Sequence, residues 1–127
     1  MKKLLILIAV CFVFVSCKGS AAPDQKTIIF DGVYRNELHF KAEITHLKDY
    51  YEVKIKDSDG KLLLDMEIPP SGEVTYDYIS PLPVNTVYEF EDFFNKYVYK
   101  KDAADIKKES GKVYYYIDNT AILYLQE

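Results

Sequence analysis

The chain has no tryptophan, only two histidines and two cysteines, and five each of glycine and proline in 127 residues. Each shortage closes off some chemistry. His39 and His46 lie an odd number of positions apart, so one strand would turn them to opposite faces, and they fail as a metal pair. No GxSxG, HExxH or CxxC motif and no glycine-rich phosphate loop is present, which speaks against the enzymes built on them. Asp57-Ser58-Asp59-Gly60 has the opening of a calcium loop. The twelfth position, where a bidentate Glu is needed, is Ile68, and Lys61 stands at the fifth. Positive charge is also short: 16 Lys and Arg face 20 Asp and Glu, with no basic run. Nucleic-acid binding rests on phosphate neutralisation, and docking on anionic lipid needs polybasic clusters, so an acidic chain argues against both. The expectation is a non-enzymatic protein without cofactor, metal or nucleic-acid partner.

Long apolar runs are nearly absent too. The one exception, Leu4–Val15, has twelve residues, and a bilayer-spanning helix needs about 20. It follows Met1-Lys2-Lys3 and stops at Ser16-Cys17-Lys18-Gly19-Ser20, so a cationic head, an apolar stretch and a small residue before a cysteine occur in the order of an export signal. This arrangement resembles the bacterial lipoprotein signal. The resemblance implies cleavage before Cys17, a diacylglyceryl group on its thiol and a fatty-acyl chain on the new amino group. Cys11 would leave with the signal, and no thiol would remain for a disulfide or a nucleophile. An ordinary cut near Ser20-Ala21-Ala22 is disfavoured by Pro23. Lys18 after the lipid site implies the outer membrane rather than the cytoplasmic one.

The layout that follows is a signal at 1–16, a lipidated cysteine and tether at 17–26, and one globular domain at 27–127. Losing Lys2 and Lys3 takes the net charge from −4 to −6. The tether Lys18–Lys26 reaches at most about 30 Å, so the domain would sit close to its membrane.

What the chain has in plenty is tyrosine, twelve of them. Tyrosine suits strands and has a polar tip, which accounts for most of them; a tyrosine-lined recognition surface is the sharper reading. Thr27–Phe30 and Val33–His46 read as strands about an Asp31-Gly32 turn, with Leu38, Phe40, Ala42 and Ile44 alternating with polar residues. Tyr50–Asp57 and Lys61–Ile68 form a second hairpin about Asp59-Gly60, pairing Ile55 with Leu64, Val53 with Met66, Tyr51 with Ile68 and Lys54 with Asp65. Glu73–Ile79 is a shorter strand after Pro69-Pro70.

The period then changes. Phe90, Phe93, Phe94, Tyr97 and Val98 make the apolar stripe of a helix, with Thr86 and Glu89 as its capping box. Asp102 would cap a second short helix running to Glu109, with Gly111 past its end. Lys112–Ile117 and Thr120–Gln126 form the last hairpin about Asp118-Asn119, pairing Tyr115 with Ile122, Val113 with Tyr124, Tyr114 with Leu123 and Tyr116 with Ala121. Both of its faces are apolar. Either it is covered on both sides or one face is left for a partner.

The fold expected is α+β: an antiparallel sheet of six or seven strands with one main helix, and a second short one, before the C-terminal hairpin. The function expected is a lipid-anchored envelope protein that binds a protein or a cell-wall component. The alternative is an inhibitor or immunity-type protein against an envelope hydrolase. The residues expected to matter are Cys17 for lipid, and Tyr114, Tyr116 and Leu123 for binding, on whichever face points away from the helix.

Overall fold

The computed structural model describes residues 26–99 and 101–127. The signal, Cys17 and nearly all of the tether lie outside the described residues. The elements run β1 (Lys26–Tyr34), β2 (Leu38–His46), β3 (Tyr51–Asp57), β4 (Leu62–Ile68), β5 (Thr75–Ile79), α1 (Val84–Val98), β6 (Ile106–Glu109), β7 (Lys112–Ile117) and β8 (Thr120–Gln126). All eight strands pair antiparallel in one sheet of order β5-β4-β3-β2-β1-β8-β7-β6. The α+β class stands, with eight strands in place of six or seven.

One core fills the space between the sheet and α1. Phe90, Phe93 and Phe94 are fully buried against Phe40, Ala42, Val53, Ile55, Leu64, Met66 and Ile68. The turn between β3 and β4 closes from Asp57 to Gly60 around Ser58-Asp59 rather than Asp59-Gly60, and a bulge sets Lys56 opposite Leu62. From Tyr51 to Ile55 the β3–β4 register is the expected one, with Tyr51 opposite Ile68, Val53 opposite Met66, Ile55 opposite Leu64 and Lys54 opposite Asp65. Since side chains alternate, that register sends one set to the helix and Glu52, Lys54, Asp65 and Glu67 to the other face.

Four further expectations are corrected. Asp31-Gly32 is no turn: β1 and β2 pair without a break from Lys26 and His46 to Tyr34 and Leu38. The turn is Arg35-Asn36, with φ of 51° and 59°, the backbone of a tight hairpin. Gly32 instead makes room for its cross-strand partner, since a Cβ there would stand 2.4 Å from Phe40 Cζ.

The second helix is the edge strand β6. Ser110 and Gly111, with φ of 54° and 80°, form its turn into β7 rather than a helix stop.

The capping box does not form. Pro83 is the N-cap and offers no side-chain bond, so Thr86 falls inside the first turn. Glu89 instead pairs with Arg35 Nη2 at 2.9 Å and accepts from the Tyr34 hydroxyl at 2.5 Å. The first turn therefore has no acidic residue.

The last correction is one of register. Asp118-Asn119 is the turn between β7 and β8, and Tyr116 faces Ala121 as expected. A bulge at Ile122 then shifts the pairing by one, so that Tyr115 faces Leu123, Tyr114 faces Tyr124 and Val113 faces Leu125. An extra residue in one strand exchanges the faces of everything beyond it. Leu123 and Leu125 go to the core, at 1% and 0% exposure. Tyr124 goes to the opposite face.

Candidate functional site

The helix covers one side of the sheet, and among the described residues no second layer covers the other. That open face has two halves of different chemistry.

The half built by β6, β7 and β8 is aromatic. Tyr114 lies 6.4 Å from Tyr116 and 5.8 Å from Tyr124, ring centre to ring centre. All three are half-buried. Lys107 stands over the Tyr116 ring at 5.3 Å and Lys112 over the Tyr124 ring at 4.7 Å, within cation–π range. Flat rings with hydroxyl tips and flanking ammonium groups make a surface that can stack on and hydrogen-bond a partner. Tyr114 and Tyr116 thus share the exposed face, and Leu123 is absent from it. Tyr124, expected on the other side, completes the cluster. The bulge that moved it leaves no mark in the side-chain alternation.

The other half is acidic. Glu52 on β3, Asp65 on β4 and Asp77 on β5 bring carboxylate oxygens within 4.8 Å of one another. Asp77 is the extra residue of a bulge in β5, where Asp65 faces Tyr78 and Met66 faces Tyr76. Asp65 is 9% exposed, and its Oδ1 is buried with no hydrogen-bond partner. Burial first, and then the charge of Glu52, raise the Asp65 carboxyl to about 6. Glu67 shifts the same way, first through its contact with Asp77. No sequence motif marks this cluster, because its members come from three strands.

On the helix side, a cleft of about 520 Å³ opens at the C-terminal end of α1. Phe30, Ile44, Tyr97 and Ile106 form apolar walls, and Lys96 and Lys101 stand among its lining. Lys96 is held by Asp92 at 2.9 Å and Asp105 at 2.7 Å. At the opposite end of the helix Ile79, Val84 and Tyr88 are exposed near the free edge of β5.

Several other tyrosines are structural. Tyr115 donates to Asp92 at 2.6 Å, Tyr97 to Glu127 at 2.6 Å, and Tyr76 to Glu91. Burial, together with those acceptors, raises all three hydroxyls above their ordinary range. His39 and His46 are exposed, and His46 stacks on Tyr51 at 4.3 Å. Asp57 Oδ1 accepts from the amides of Asp59 and Lys61, which makes that segment a capped turn. No helix among the described residues is long and apolar enough to cross a membrane. Against known proteins, the chain matches no family model, no curated protein and no solved structure.

Proposed function

We propose that the protein is a lipid-anchored binding module of the cell envelope. Its sheet captures a protein or a cell-wall component, and it has no catalytic role. The observation that carries the binding part is the cluster Tyr114, Tyr116 and Tyr124, half-exposed on the face that α1 leaves open. Core tyrosines donate to fixed carboxylates; these three present rings and hydroxyls outward. Tyrosine adds contact area at little entropic cost, which suits recognition. The anchoring part rests on the Ser16-Cys17 junction that closes the apolar run. Two chains hold a protein on a membrane where one is marginal, because each buried methylene contributes about 0.8 kcal/mol.

Growth with a clickable fatty acid tests the anchor: the wild type should carry the label and Cys17→Ala should lose it. Equal labelling would end the lipoprotein reading. Pull-down from the native envelope tests the surface. Tyr114→Ala with Tyr116→Ala should abolish capture while the urea midpoint stays nearly unchanged. A partner retained by that variant would remove the surface from the reading. A lytic hydrolase among the captured proteins would favour the inhibitor alternative.

A further inference from the structure

We propose that Glu52, Asp65 and Asp77 form a binding site for one calcium ion on the acidic half of the open face. Clustered acids are common on an acidic protein, so the clustering alone argues little. The burial of Asp65 is a separate observation. Its Oδ1 is closed off from solvent and accepts no hydrogen bond, whereas buried polar atoms are nearly always partnered, and an exception points to a missing water or ion. The unpartnered atom belongs to the central member of the three, with Glu52 on one neighbouring strand and Asp77 on the other.

The dimensions fit. Three oxygens that all lie within 4.8 Å of one another leave a common point no more than about 2.8 Å from each, so a shift of a few tenths of an ångström brings all three into the calcium range of about 2.3–2.6 Å. Calcium accepts irregular sets of oxygens, with water completing the shell. Magnesium demands a near-ideal octahedron that carboxylates from three strands are poorly placed to supply. Glu67, beside Asp77, adds a fourth carboxylate, and Lys54 opposite Asp65 is the cation facing them. A positive ion relieves the mutual repulsion of the carboxylates. The competing occupant is a proton held by Asp65, and the two make opposite demands.

Titration calorimetry and thermal melts of the purified full chain in detergent at pH 7.5, with calcium chloride, magnesium chloride or a chelator, separate them. Calcium should bind once per chain, with a Kd on the order of 0.1–1 mM, as in weak extracellular sites. It should raise the melting midpoint, and magnesium should do so less. Asp65→Asn should lose both the binding heat and the shift. Asp77→Asn, at an exposed position, should lose them while still folding. The proposal fails if the wild type shows no response at about 10 mM calcium, well above that range. It fails equally if either variant keeps the response. A wild type blind to calcium, together with an Asp65→Asn that melts higher, would give the site to a proton.

Discussion

Burial and the neighbouring Glu52 raise the Asp65 carboxyl from 3.8 to about 6. Between those values the folded chain holds a proton that the unfolded chain has released, so this group's contribution to stability falls as pH rises through the window and stays lost above it. In chelator, wild type and Asp65→Asn should therefore melt closest together near pH 4, with the variant gaining steadily up to about pH 6 and holding its lead at pH 7. A constant difference across that range would show that Asp65 titrates normally. The triad was not legible in the sequence. Glu52, Asp65 and Asp77 stand 13 and 12 positions apart, and only the strand pairing and a bulge bring them together. Gly32 was misread for a similar reason: next to Asp31 it carries a turn signature, and the Phe40 ring that requires it lies on another strand.

Among the elements, α1 was the most legible, because a stripe at spacings of three and four is a property of the segment itself. Its start was not. The capping-box pattern at Thr86 and Glu89 competes with Arg35 and Tyr34, which hold Glu89 from the β1–β2 turn. Phe94→Ala should cost about 3–5 kcal/mol by emptying a fully buried ring site. Thr86→Ala should cost less than the roughly 1 kcal/mol of a lost cap, because Thr86 caps nothing and accepts only a 3.4 Å contact from Tyr34. Urea melts rank the two, and a Thr86→Ala midpoint as low as that of Phe94→Ala would contradict the assignment. The β3–β4 pairing from Tyr51 to Ile55 follows from alternation, but the turn does not: it is one residue longer than the Asp59-Gly60 pair suggests, and a bulge of one residue beside it restores the register. β6 was not legible, since Ile106-Lys107-Lys108-Glu109 has one apolar residue and becomes a strand by pairing with β7.

Across the whole molecule, the first described strand lies inside the sheet, between β2 and β8. Tyr34 faces Leu123 there and Gly32 faces Leu125. The five-strand meander and the three-strand unit therefore meet along the seam of β1 and β8, with α1 carrying the chain from one outer edge to the other. Truncation after Asn119 removes β8 and with it both the seam and the tyrosine face. It should abolish the cooperative urea transition; a truncated chain that still unfolds in one sharp step would show that the meander stands alone. The choice of which tyrosines look outward was half legible. The outward side of β7 followed from alternation, and that of β8 turned on one bulge.

That seam also sets an order of events in time. Of the described strands β1 comes first along the chain and its partner β8 last, so the strands between them can pair before the seam closes. Until residues 120–126 dock, the amides and carbonyls of Asp31–Tyr34 form an open edge of the kind that recruits other strands. Closing that edge requires contact between segments almost the full domain apart, and such distant contacts make folding slow. The risk of aggregation therefore falls mainly in the interval before β8 docks, when the unfinished sheet depends on whatever shields β1.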